Sequence, residues 1–127
     1  MLSKAIFVLT FGILAGLSGA PANAAPETIC GWFDNPTPQN ASLWDKDGEW
    51  TVGVQGGFQA EGDWPGPFDS KHWVSSGNAD YGFGCACLKA DLDRDQQMVL
   101  TILSAKVKPL SACREDKALR QFSDQFK

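Results

Sequence analysis

The chain has 127 residues, with 11 basic and 15 acidic side chains and a net charge of −4, so it is one small domain whose charge disfavours phosphate backbones and anionic membrane surfaces. Its basic residues are scattered rather than gathered into a stripe, which also argues against nucleic acid as a partner. Four cysteines, an even number in so short a chain, suit an oxidising compartment.

Residues 1–24 are expected to form a cleavable secretory signal. Lys4 supplies the positive start, Ala5 to Leu17 an apolar run, and Ala22-Asn23-Ala24 the small residues at the cleavage position. The apolar run is shorter than the roughly 20 residues that span a bilayer and is interrupted by Gly12 and Gly16, so a membrane anchor is the poorer account. In Leu17-Ser18-Gly19-Ala20 an alanine stands where a lipoprotein needs its acylated cysteine. Cleavage before Ala25 leaves residues 25–127 as a single domain with 10 basic and 15 acidic residues, a net charge of −5, located in the periplasm or secreted.

From Cys30 to Asp47 the chain is dense in Pro, Asn, Asp and Gly, and Pro36 and Pro38 forbid a helix, so this stretch is expected to be ordered loop pinned by Trp32, Phe33 and Trp44. Glu49 to Gln55 alternates with period two, which predicts a half-buried strand with Trp50, Val52 and Val54 on one face. Gly56-Gly57 turns the chain and Phe58 to Glu61 is expected to return as a strand. Gly62 to Phe68 is an aromatic-studded Gly/Pro loop, and His72 to Ser75 at best a short strand.

Tyr81–Leu92 and Met98–Val107 form the clearest element, a hairpin about the polar turn Asp93-Arg94-Asp95-Gln96. Leu88, Ala90 and Leu92 share one face; Cys85 and Cys87 share the other. Side chains two apart on a strand stand about 7 Å apart, too far for a disulfide. Cys85 and Cys87 must therefore each reach outward, one to Cys30 and one to Cys113, in either of two pairings. After Pro109, Ser111 is placed to cap a terminal helix, with Glu115 and Asp116 in its first turn and Leu119, Phe122 and Phe126 at helical spacing. The expected fold is mainly β, a small α+β domain: an antiparallel sheet with long aromatic-rich loops, one C-terminal helix and two disulfides.

The motifs Cys30-Gly31-Trp32-Phe33-Asp34-Asn35-Pro36-Thr37-Pro38, Tyr81-Gly82-Phe83-Gly84-Cys85-Ala86-Cys87 and Lys108-Pro109-Leu110-Ser111-Ala112-Cys113-Arg114 carry a resemblance, supported by Asp47-Gly48-Glu49-Trp50-Thr51, Gln55-Gly56-Gly57 and Gly62. With them the chain resembles domain of unknown function family 4087, small exported proteobacterial proteins. The resemblance implies export and cysteine pairing; it brings no activity and no functional residue.

Catalytic constellations are incomplete. His72, the single histidine, lies between Lys71 and Trp73 with no motif that assembles a triad around it. A zinc site is disfavoured because Cys85-x-Cys87 lacks the usual ligand spacing, and a redox pair needs two residues between its cysteines. Asp45-x-Asp47-Gly48 and Asp91-x-Asp93-x-Asp95 resemble the opening of a calcium loop, but neither has the glycine and glutamate that complete one. No metal and no cofactor is expected. Glu49, Glu61 and Asp63 sit near Trp50 and Trp64, the residue types of a carboxylate-dependent hydrolase of envelope glycan. Most of the five tryptophans between Trp32 and Trp73 are expected as core filler, and those left over as rigid contact area for a protein or glycan partner. The expectation is therefore a non-enzymatic binding or interaction module for an envelope protein or glycan, with Trp64, Asp63, Glu61 and Trp50 as candidate binding residues. The hydrolase and an exported enzyme inhibitor are the alternatives.

Overall fold

A computed structural model describes residues 12, 25–78 and 80–127; the expected leader, Gly12 excepted, lies outside the described residues. Six strands run in the order β1 (Glu27–Thr37), β2 (Asn40–Asp45), β3 (Gly48–Gly53), β4 (Trp73–Ser75), β5 (Gly82–Asp93) and β6 (Met98–Lys108). A short helix α1 (Leu110–Arg114) and a 3-10 helix (Lys117–Phe122) follow.

The sheet order is β1-β2-β3-β6-β5-β4, and β1 also pairs with β5, so five strands form a closed circuit and β4 extends it along β5. All pairings are antiparallel except the β3–β6 contact, which is parallel at Thr51 and Met98 and makes the sheet mixed. That narrow joint is filled by residues 58–61. Val54 N donates to Phe58 O and Ala60 N to Val52 O on the β3 side, while on the β6 side Glu61 N donates to Leu100 O and Glu61 O accepts from Ile102 N. The expected returning strand is thus present only as isolated bridges, with one neighbour on each side.

The expected loop from Cys30 to Asp47 is instead the paired strands β1 and β2. Its prolines are tolerated because the β1–β5 ladder ends at Asn35 and the β1–β2 ladder is irregular between Asp34 and Thr37, so neither asks Pro36 for an N–H. Pro38 falls in the turn, next to Gln39 in the left-handed region at φ 61°. Gly31 permits the tight crossing of β2, since a Cβ there would collide with the Trp44 carbonyl oxygen. Val54, expected beside Trp50 and Val52, lies beyond the end of β3 and is exposed.

Alternation along the strands builds two apolar cores. Ile29, Phe33, Leu43, Trp50, Val52, Leu88, Val99 and Ile102 fill the interior of the circuit. Trp32, Cys85, Cys113, Leu119 and Phe126 form a second core outside it, under the C-terminal segment, where Trp32 stacks on Phe126 at 5.4 Å. The single expected helix is divided: α1 begins with Pro109 in the cap position and no side-chain cap, and Asp116 opens the 3-10 helix by accepting from Ala118 N at 2.9 Å. An aspartate that bonds backbone two residues ahead competes with helix continuation, which accounts for the break.

Both disulfides cross between segments. Cys30–Cys87 joins directly opposed residues of β1 and β5, and Cys85–Cys113 ties α1 to β5. Among the described residues no helix is long and apolar enough to cross a membrane.

Candidate functional site

One end of the strand circuit is capped by the long connection between Glu61 and β4. Gly62 starts it in the left-handed region at φ 90°, pressed so close to β6 that a Cβ would strike the Ile102 carbonyl oxygen. From there Trp64 meets the Phe33 ring edge-on at 6.0 Å, and Phe68 lies parallel to Phe33 at 6.2 Å. Trp73, at the start of β4, closes on Phe68 at 4.6 Å. Gly84 makes room for Phe68, whose Cε1 would be 2.7 Å from a Cβ at that position.

These rings enclose a half-open cleft of about 380 Å³, completed by Asn35, Pro65, Gly66, Pro67 and Asp80. Asp80 is its single charged lining residue among those described. Asn35 is fixed by its amide: Nδ2 donates to the carbonyl oxygens of Asn40 at 2.8 Å and Thr37 at 3.0 Å. Trp64 is also part of a second groove, of about 530 Å³, with Gly62, Asp63 and residues 102–107 of β6. Its half-exposed indole is thus a wall shared by two depressions.

Of the residues singled out in the sequence, Asp63 and Trp64 come together, and Asp63 is exposed. Glu61 is exposed beside them, with its backbone engaged by β6. Trp50 is elsewhere, inside the circuit at 1% exposure, with Nε1 donating to the buried Asp45 at 2.9 Å and the Arg94 guanidinium 5.5 Å from its ring. It has no surface to present to a ligand. Asp69 accepts from the backbone N–H groups of Lys71 and His72 and pairs with His72 Nδ1, contacts that hold its carboxyl below the usual range, the His72 hydrogen bond first among them. No serine is hydrogen-bonded to His72 among the described residues, and all four cysteines are in disulfides.

The two calcium-like fragments are hairpin turns. Asp93 accepts from Gln96 N, and Asp45 accepts from Asp47 N as well as from Trp50. Asp34 carries a feature that the sequence reading passed over. It lies opposite Ser42, whose hydroxyl donates to Glu49 Oε1 at 2.7 Å, and the three line a shallow groove of about 220 Å³ outside the circuit. Burial, with the Glu49 charge adding to it, pushes Asp34 up to about 6. The outward alternation of Cys30, Trp32 and Asp34 was the available signal, hidden because the stretch looks like loop.

The geometry defines a disulfide-linked, mainly β domain with an aromatic cleft at one end. The chain belongs to the DUF4087 family of proteins of unknown function, whose profile matches residues 24–120. No curated protein and no solved structure matches it.

Proposed function

We propose that the protein is an exported, non-enzymatic binding module of the cell envelope and that the cleft around Trp64 is its contact surface for an envelope protein or glycan. The observation that carries this reading is the partly buried Trp64 lining a cleft walled also by Phe33, Phe68 and Trp73. Aromatic rings held by packing provide contact area at little entropic cost, and Pro65 and Pro67 stiffen the loop that bears them. Two disulfides with no free cysteine support an oxidising location. The test is capture of a partner from envelope extract by the mature, oxidised protein and by its Trp64→Ala variant. Trp64-dependent recovery of a protein or glycan fragment is expected, and equal recovery by both forms counts against the cleft.

The hydrolase reading is favoured by one observation, the carboxyls of Asp34 and Glu49 on a common outer face, with Asp34 at about 6. A carboxyl that holds its proton unusually tightly beside a second carboxyl is a pairing that acid–base hydrolysis can use. Turnover of a glycan panel that disappears in Asp34→Asn would establish it; an inert panel removes it.

A further inference from the structure

We propose that the aromatic cleft receives a cationic side chain, specifically an arginine, from a basic protein partner; this rests on the binding reading of the same cleft. Trp64, Phe68 and Trp73 line the cleft with aromatic rings, and the quadrupoles of such rings attract cations. The charged group among them is a carboxylate, Asp80, and among the described residues no lysine or arginine lines the cleft. Asn35 spends its amide N–H groups on the carbonyls of Thr37 and Asn40, so it adds no donor to the cleft. Asp80 asks for one.

Guanidinium satisfies that demand. It is planar, carries five N–H donors and no acceptor, and stacks on aromatic faces. An anionic group would meet Asp80, and a neutral sugar would engage the Asp80 carboxylate by hydroxyl donation alone, without charge attraction. A volume of about 380 Å³ lies at the small end of ligand pockets, suited to one inserted side chain rather than a folded segment. The acidic balance of the chain, net −4, draws a basic partner toward it.

The test titrates the oxidised mature protein with the peptide Ac-Gly-Arg-Gly-NH2 and with its citrulline counterpart, which replaces guanidinium by a neutral group of the same shape. The readout is the indole N–H resonances of Trp64 and Trp73. The arginine peptide is expected to shift both and to bind about tenfold more tightly than the citrulline peptide. Asp80→Asn, at an exposed position, should erase most of that difference while leaving the melting temperature unchanged. Equal affinity for the two peptides, or indifference to Asp80→Asn, overturns the inference. Trp64-dependent capture of a partner that Asp80→Asn does not weaken would overturn it while leaving the binding reading standing; no peptide response and no capture would remove both.

Discussion

Trp50 and Trp64 are both tryptophans with an acidic residue directly before them, and their environments separate their roles. Trp50 is enclosed at 1% exposure, with its N–H satisfied by Asp45. Trp50→Ala should therefore cost about 3–5 kcal/mol of folding stability, the range for a deleted core aromatic. Trp64 is half-buried against Phe33, and its replacement by alanine should cost about 1–2 kcal/mol, in proportion to the apolar area it covers. Urea denaturation of the two variants checks the ordering, and a Trp64 cost equal to that of Trp50 would make the cleft wall mere core. Asp34 gives a prediction of a different kind. Its carboxyl, at about 6 against an ordinary 3.8, holds its proton more tightly in the folded chain than in the unfolded one. Raising the pH between those values ionises the unfolded chain first, so the stability Asp34 contributes falls as the pH rises from about 4 to about 6. Asp34→Asn should then gain about 1 kcal/mol near neutrality, a figure reduced for the residue's partial exposure, and nothing below the unfolded value. Glu27 and Asp69 act in the opposite sense. Their lowered carboxyls, held down by Arg94 and by His72, contribute stability that is lost as the pH falls through their folded values. A wild-type minus Asp34→Asn difference that does not vary with pH would contradict the assignment.

The elements differ in how legible they were. β5 and β6 stood out because each is a long β-rich run with a polar turn between them, and the disulfide partners of Cys85 and Cys87 were narrowed to two pairings by strand geometry alone. β1 was illegible because both of its faces are covered. Phe33 enters the inner core while Trp32 enters the outer one, which destroys the polar alternation that marks a half-buried strand. Its β5 partner is also remote, Cys30 and Cys87 being separated by 57 residues. The cleft shows the same limit. Trp64 and Phe68 were visible in one aromatic loop, but Phe33, Trp73 and Asp80 join them only through the fold, and Asp63 lines the neighbouring groove instead. The C-terminal segment was legible in its apolar spacing and not in its break at Asp116. That segment has a single covalent tie to the sheet, Cys85–Cys113. Replacing both cysteines by alanine, which leaves no stray thiol, should lower stability by about 2–4 kcal/mol. Amide exchange should accelerate first in α1 and the 3-10 helix, while β5 and β6 remain protected. Uniform acceleration across the chain would show that the outer core and the strand circuit unfold as one unit.

For the whole molecule the decisive contact is the return of β1 to β5, because it closes the circuit whose weak joint is the short parallel contact of β3 with β6. The amino-terminal strand thus carries more of the fold than its position suggests. It is held to β5 by the ladder from Glu27 to Asn35, by Cys30–Cys87, and by Glu27, whose carboxylate accepts from Arg94 at 2.6 and 3.0 Å beside the β5–β6 turn. Cleavage before Ala25 would leave every one of these contacts intact, since β1 begins at Glu27. Export and oxidation should therefore act together on a single outcome. Protein recovered from the cell envelope should begin at Ala25 by amino-terminal sequencing and contain no titratable thiol. Adding reductant should then lower its stability by about 2–5 kcal/mol, the usual loss when a native disulfide is removed from a small secreted domain. The loss is expected because cutting Cys30–Cys87 frees the strand that closes the circuit and cutting Cys85–Cys113 frees the segment that covers Trp32. Envelope protein that retains Met1 would refute the leader. A melting temperature unmoved by reductant would show that the ladder and the two apolar cores close the circuit without covalent help.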